Sequence, residues 1–137
     1  YSRVEKETEM TDEEKEAVKT GVLSARQTVD LIAAAASPPA NNAMSQYVYG
    51  IMYTQGIGVQ TDGQQAVQWL AKAADQDLAI ANYALGVIYR DGTTGLNEVA
   101  PNKALAAQYF ARAYALGYKP AGEALRLLDF KAPKNSH

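Results

Sequence analysis

Apolar residues in the first part of the chain recur every three or four positions, the spacing of one face of an α-helix. The series consists of Val18, Val22, Ala25, Val29, Ile32 and Ala36. Alternating steps of four and three residues keep such side chains on one continuous edge. Thr11 and Glu14 fit a capping box, and Ser37-Pro38-Pro39 ends the pattern because proline cannot continue the hydrogen-bond ladder. We therefore predict an N-terminal helix over residues 11–37, preceded by a flexible segment, 1–10.

The remaining sequence predicts five further helices, bounded by glycine, proline and capping signals. Their approximate ranges are 40–55, 63–76, 78–90, 103–116 and 120–130, with a tail over 131–137. Gly56 and Gly117 are placed to end helices, while Asp62 and Asn102 are placed to begin them. No segment shows the two-residue alternation of a half-buried strand. The predicted fold class is all-α.

A short phrase in the second helix occurs again in the fourth. Tyr47, Gly50 and Tyr53 return 36 residues later as Tyr83, Gly86 and Tyr89. The following helices also correspond, at an offset of 40 residues: Ala66, Trp69, Leu70 and Ala73 against Ala106, Tyr109, Phe110 and Ala113. The last helix repeats the start of the unit, since Ala121, Ala124 and Leu125 match Ala81, Ala84 and Leu85. The chain is therefore predicted to be an array of one helix hairpin.

This joint pattern resembles the Sel-1-like repeat, a variant of the tetratricopeptide helix hairpin. The family pattern is A-x-x-x-L-G-x-x-Y-x-x-G-x-G-V, then a capping Asp and K-A-x-x-W-Y-x-K-A-A-x-x-G. The residues that we assign to the repeat framework are Gly50, Tyr53, Gly56, Asp62, Trp69, Gly86, Tyr89, Tyr109 and Gly117. The resemblance implies an α-α superhelix of about two and a half repeats over residues 40–130, with the N-terminal helix as its cap.

Gly50 and Gly86 lie inside predicted helices, where glycine is destabilising unless something requires it. Alanines such as Ala66 and Ala73 face them in the pattern. We therefore predict that the two helices of each hairpin cross closely at these glycines, with aromatic side chains packed around the crossing.

Positions outside the framework form a stripe along the first helix of each unit. The stripe consists of Met44, Val48, Ile51 and Gln55, then Ile80, Ala84, Val87 and Asp91, then Pro120, Ala124, Leu127 and Lys131. Gln46, Asn82, Thr54 and Arg90 flank it and could supply hydrogen bonds. Arrays of this kind present such a face on the inside of a curve, which suits a partner's helix or peptide.

The residues that we predict to bind a partner are Met44, Val48, Ile51, Gln55, Asn82, Ala84, Val87, Arg90 and Leu127. A structural alternative is equally open at this point. The N-terminal helix could cover the stripe, or the stripe could pack between units.

Composition narrows the classes of partner. Of the 137 residues, 47% are hydrophobic and 20% charged, which supports a packed core, and a net charge of −2 disfavours nucleic acid as a partner. No apolar run approaches the roughly 20 residues that span a bilayer. The absence of cysteine excludes disulfides and thiolate metal sites.

The sequence contains few candidate catalytic residues. The one histidine, His137, is the final residue, so we expect no histidine-based catalytic triad. The chain has no cysteine and therefore no thiol nucleophile. The carboxylates Asp12, Glu13 and Glu14 stand at a helix start, where they suit the helix dipole. The Asp91–Gly95 loop lacks the further carboxylates of a calcium site. We expect no catalysis, metal or cofactor.

The leading hypothesis is a noncatalytic adaptor that binds another protein through the concave helical face. The resemblance implies a bacterial setting, with envelope or secretion roles, and favours a periplasmic or secreted location over the cytoplasm. One alternative is an immunity or inhibitor protein that blocks a toxin or enzyme. Another is a glycan or peptidoglycan-binding module, motivated by the many tyrosines.

Overall fold

A computed structural model of the chain describes residues 11–13, 15–16 and 25–134, and describes their side chains except those of Ala25 and residues 129–134. Residues 25–134 form helices joined by turns and contain no strand. The helices are α1 (Ala25–Ala36), α2 (Ala43–Gln55), α3 (Gly63–Ala74), α4 (Ala79–Asp91), α5 (Lys103–Ala115) and α6 (Pro120–Lys134). The all-α prediction is confirmed.

Part of the predicted N-terminal helix lies outside the described residues. Residues 12–13 and 15–16 are helical, and the Lys15 amide donates to the Thr11 carbonyl at 2.9 Å. Glu14 of the predicted capping box, Val18 and Val22 are not among the described residues, and neither is the segment 1–10. A single helix from residue 11 to residue 37 therefore stays a prediction, of which α1 is the described end.

Side-chain caps begin three of the helices. The Asp62 carboxylate accepts from the Gln65 amide at 3.0 Å and starts α3, and Asn102 accepts from Leu105 at 3.0 Å and starts α5. Both caps were predicted. The start of α2 was placed three residues too early, because Asn42 is the cap and accepts from the Ser45 amide at 2.8 Å.

Residues with positive φ follow α2, α3, α4 and α5. Gly56 has φ 69° and ψ 37°, and its amide donates to the Met52 carbonyl, as expected of a helix C-cap. Gly117 follows α5 with φ 105°. Asp77 takes φ 62° after α3, at the position where the family pattern has glycine. The last helix runs to Lys134 rather than ending at 130.

Each helix packs against the next along the chain, which is the arrangement of a helical solenoid. The most extensive contacts lie within the hairpins α2–α3 and α4–α5, and smaller ones join α1 to α2, α3 to α4 and α5 to α6. The side chains of Leu70, Leu85 and Phe110 are completely buried between these helices. In this packing order one second helix stands between the first helices of successive units, with α3 between α2 and α4 and α5 between α4 and α6.

Close helix crossings occur at both predicted glycines. A Cβ atom added to Gly50 would lie 2.7 Å from Leu70 Cγ and 3.2 Å from the Ala66 carbonyl oxygen. One added to Gly86 would lie 2.5 Å from Cδ1 of Phe110. Gly50 and Gly86 thus allow α3 and α5 to approach, although large side chains rather than alanines fill the contact. The corresponding position of α6 is Arg126, whose side chain is exposed.

The connector between α4 and α5 folds back onto the first hairpin. The amides at the start of α3 donate to this connector, Gly63 to the Leu96 carbonyl and Gln64 to the Asn97 carbonyl, both at 3.1 Å. The Asn97 side chain also donates to the Asp62 carboxylate at 2.8 Å. The longer connector of the second unit therefore forms a contact between the two repeats.

Candidate protein-interaction groove

A pocket of about 250 Å³ opens between α2 and α4, on the face that carries the stripe. We call it the tyrosine pocket. Its lining residues are Tyr47, Ile51, Thr54, Ile80, Tyr83, Ala84, Val87, Ile88 and Tyr118. Every one of these side chains is uncharged, and most are aliphatic or aromatic. The successive first helices supply the two walls, and Tyr118, just before α6, closes one side.

A second pocket, of about 300 Å³, lies on the other side of α4, next to α6. We call it the end pocket. Its lining residues are Arg90, Asp91, Lys103, Ala124, Leu127 and Leu128. It combines an apolar wall from α6 with three charged side chains from the end of α4 and the start of α5. The stripe thus contains an apolar pocket followed by a charged one, and together we call them the groove.

The described part of the N-terminal helix leaves the groove uncovered. Among the described residues, none from α1 lines either pocket. Instead, α1 packs on α2 at the end of the array, where Val29 approaches Gly58 and the Ala36 carbonyl accepts from Gln46 at 3.0 Å. It occupies the place that the second helix of a preceding repeat would take.

The residues predicted to bind a partner fall into three sets. Ile51, Ala84 and Val87 line the tyrosine pocket, and Arg90 and Leu127 line the end pocket. Met44, Val48 and Gln55 lie on α2 outside both pockets: Met44 and Gln55 are exposed and Val48 is half-buried. The third set is a single residue, Asn82, which is buried and lines neither pocket.

Asn82 and Gln46 are buried, so neither can flank the groove as predicted. Asn82 is 0% exposed and Gln46 2% exposed. Gln46 instead bridges two elements, donating to the Ala36 carbonyl and accepting from the Gln76 side chain at 3.0 Å. Asn82 donates to the Leu78 carbonyl at 3.1 Å, and its Oδ1 has no hydrogen-bond partner. Both positions turn inward, toward the neighbouring helix.

Sequence reasoning missed Tyr47, Tyr83, Tyr118 and Lys103 as residues of the groove. Tyr47 and Tyr83 belong to the aromatic residues that we expected to pack around the helix crossings, yet each stands one position before a stripe residue and is only half-buried. Tyr118 takes the repeat position of Leu78, so an alignment of the units marks the change to an aromatic. No signal in the sequence placed Lys103 beside the end of α4.

Tyr83, one of the three tyrosines of the pocket, contacts both Tyr118 and the core. The ring of Tyr83 lies 4.9 Å from that of Tyr118 and 5.4 Å from that of Phe110, measured between centroids. Burial raises the pKa of Tyr47, and the nearby Tyr118 phenol raises it further. The Tyr47 phenol therefore stays protonated and can donate a hydrogen bond at neutral pH.

The charges of the end pocket are partly paired. Arg90 donates to both carboxylate oxygens of Asp91, with each bond 2.9 Å long. This bidentate pairing lowers the pKa of Asp91 and raises that of Arg90. Lys103 has no ion-pair partner among the described residues.

The acidic groups of the described residues are dispersed or paired. In the described part of the chain, no group of three or more His, Asp or Glu residues could hold a metal ion. The carboxylate that lines the end pocket, Asp91, is paired with Arg90. None of the helices described is both long and apolar enough to cross a membrane.

Comparison with known families agrees with the hairpin geometry. The family model described as "Sel1 repeat" matches residues 43–78 and 79–118, the two complete hairpins. The chain belongs to the Sel1 repeat family. Sel1 repeat proteins are typically scaffolds for protein interaction and are generally non-catalytic. A search of curated proteins gave no match.

Two solved structures show the same fold. A Sel1 repeat protein from Oxalobacter formigenes is 27% identical, with a TM-score of 0.65, over 82% of this chain and 43% of that one. A protective antigen of uropathogenic Escherichia coli strains, described as displaying an SLR fold, is 22% identical, with a TM-score of 0.72. That match covers 85% of this chain and 25% of the antigen. This chain spans less than half the length of either protein.

Proposed function

We propose that this Sel1 repeat chain is a noncatalytic adaptor that holds a partner protein in the groove along α2, α4 and α6. The observation that carries the proposal is the tyrosine pocket, an opening of about 250 Å³ with uncharged walls. Apolar and aromatic anchors placed in such pockets supply most of the binding energy of protein interfaces. The charged end pocket beside it would select among partners.

The proposal is tested by blocking the pocket. Val87 is half-buried and lines it, so Val87→Glu places a charge where a partner's apolar side chain would lie. Gln68→Glu adds the same charge on an exposed position of α3 and is the matched control. Each variant is used to capture proteins from the source cells, and circular dichroism checks its fold.

We expect one or more proteins to be captured by the wild type and by Gln68→Glu but lost from Val87→Glu. Retention of every captured protein by folded Val87→Glu would reject the groove. A further variant, Val48→Glu, maps how far the contact extends along α2, because Val48 lies on the stripe outside both pockets.

A narrower version of the proposal places the chain in a bacterial envelope or secretion system, where the partner could be a toxin or enzyme that this chain inhibits. Once a partner is captured, its activity with and without the chain decides between an adaptor and an inhibitor. Full inhibition at a one-to-one ratio, absent with Val87→Glu, would establish the inhibitor role.

Glycan binding is the second candidate function, and the three tyrosines of one pocket are the observation in its favour. Sugar rings stack on free aromatic faces. The ring of Tyr83 already contacts Phe110 and Tyr118, which leaves less of its surface for a sugar. Intrinsic fluorescence titrated with peptidoglycan fragments tests this candidate, and an unchanged signal would exclude it.

A further inference from the structure

We propose that the groove takes an extended segment of its partner, with one bulky uncharged side chain in the tyrosine pocket and a carboxylate about four residues away, beside Lys103. This inference rests on the proposed function and adds the chemistry of the partner. It follows from the contents of the two pockets and from the distance between them.

The tyrosine pocket determines the first requirement. Its volume of about 250 Å³ is below the roughly 300–1,000 Å³ of small-molecule sites, so it suits one large side chain. An ionised side chain entering it would lose hydration without meeting an opposite charge. The phenol groups of Tyr47 and Tyr118 can instead donate to a backbone carbonyl of the segment. An aromatic or large aliphatic residue meets these conditions.

The end pocket determines the second requirement. Arg90 donates two hydrogen bonds to Asp91, and their opposite charges offset each other within the pocket. Lys103 is exposed, lines the same pocket and has no ion-pair partner among the described residues. It is the charge that a ligand can pair with. An aspartate or glutamate side chain is the complementary group, and a lysine or arginine would be repelled.

The distance between the pockets determines the spacing. The tyrosine pocket contacts α4 around Ala84 and the end pocket contacts it at Asp91, which separates them by roughly 10 Å along the helix at 1.5 Å per residue. One pocket lies between α4 and α2 and the other between α4 and α6, so the step across α4 adds about 8–10 Å of lateral separation, the usual distance between neighbouring helices. The combined distance is roughly 13–14 Å, or about four residues of extended chain.

A helical segment would not satisfy the same two contacts at that spacing. Residues four apart on a helix are separated by only about 6 Å along its axis, so the carboxylate would have to stand about nine residues away. The position of the acidic residue in the sequence of a ligand therefore reports its conformation in the groove.

The experiment selects ligands from a library of random 12-residue peptides displayed on phage, against the folded whole chain. The wild type is compared with Lys103→Glu and with Arg26→Glu, which makes the same charge change on an exposed position of α1 outside both pockets. Val87→Glu and Thr54→Arg block the tyrosine pocket and subtract peptides that bind elsewhere. Two blocking variants are used so that misfolding of one does not remove the subtraction.

We expect the wild type and Arg26→Glu to enrich peptides with a large apolar residue and an acidic residue four positions away. Lys103→Glu should keep the apolar residue and replace the acidic one with lysine or arginine. For an enriched synthetic peptide, Lys103→Ala should weaken binding roughly two- to fivefold, the effect of losing one exposed ion pair.

The outcomes separate this inference from the proposed function. Peptides that need an open tyrosine pocket but carry no acidic residue at that spacing would overturn the inference and leave the groove intact as a binding site. An acidic preference that survives Lys103→Glu, or an acidic residue about nine positions away, would also overturn it. Enrichment that is identical for wild type and both blocked variants would contradict the inference and the proposed function together.

Discussion

The helix crossing at Gly86 gives the sharpest prediction of stability. An alanine there would place Cβ 2.5 Å from both Cδ1 and Cε1 of Phe110 and 3.0 Å from its Cγ. Ordinary contacts of a Cβ atom begin at about 3.4 Å, so the ring and the methyl group must separate by roughly 1 Å. Phe110 is completely buried against α6 and Tyr83, so its ring has no free space to enter.

Two opposing terms determine the size of the effect. Overpacking a close contact costs about 1–3 kcal/mol, and the upper half of that range applies because the obstructing atoms belong to a buried ring. Replacing glycine by alanine inside a helix returns about 1 kcal/mol. Gly86→Ala should therefore lower the free energy of unfolding by about 1–2 kcal/mol.

Gly122→Ala is the matched control. Its added Cβ would also meet an aromatic ring, at 2.8 Å from Cδ1 of Tyr114, but that ring is 54% exposed and can turn away into solvent. The two substitutions thus differ chiefly in whether the ring can move. Gly122→Ala should leave the free energy of unfolding unchanged or raise it by up to about 1 kcal/mol.

The assay is urea unfolding, followed by the helical circular dichroism signal. The free energies of unfolding of the variants are compared with the same dependence on urea concentration for each protein. A double variant, Gly86→Ala with Phe110→Leu, should be more stable than the sum of its single changes predicts, since leucine makes room for the methyl group. A Gly86→Ala protein as stable as wild type, with no coupling to Phe110, would refute the close-crossing explanation of the glycines.

The remaining predictions concern buried amides, one carboxylate and one phenol. Asn82→Leu should be neutral or stabilising, because it removes the unsatisfied Oδ1, whereas Gln46→Leu breaks two bonds and should cost about 1–3 kcal/mol in the same urea assay. The pKa of Asp62 is lowered first by the hydrogen bond from the Gln65 amide and then by that from Asn97. The ionised Asp62 side chain therefore stabilises the fold above the ordinary aspartate pKa of about 3.9, and this stabilisation is lost as pH falls through the lower pKa of the folded protein. Between about pH 5 and pH 2, the melting temperature of the wild type should therefore fall further than that of Asp62→Asn. Hydrogen bonding to Tyr53, burial and Asp30 raise the pKa of Tyr49 to about 12. The ultraviolet titration difference between wild type and Tyr49→Phe should therefore centre near pH 12; a difference centred near the ordinary value of about 10 would contradict it.

The fold was predictable because short local signals in each repeat determine where its helices begin, end and cross. Caps such as Asp62, left-handed residues such as Gly56, and glycines inside helices are requirements of single positions, and they occur at matching offsets. The Asn42 cap was missed because Pro38 and Pro39 were taken as the boundary, and the chain makes a further turn before α2.

The sequence predicted which side of each helix faces the groove, but not which residues line its pockets. Periodicity places Ile51, Val87 and Leu127 on one side of their helices. In the structure, all three residues line one of the two pockets. Periodicity does not report the depth at which a side chain lies, so Asn82 was assigned to the groove although it is buried. Lys103 could not be found, because its position depends on how the long connector folds back onto α3.

Position-specific photo-crosslinking in cells that produce the chain is the most direct test of the groove. A benzophenone amino acid is placed at Gln55, an exposed stripe residue outside both pockets, and in a separate protein at Gln68, on the exposed side of α3. We expect a crosslinked partner protein from Gln55 that is lost when Val87→Glu is added, and none from Gln68. The same partner crosslinked from Gln68 and not from Gln55 would contradict the groove.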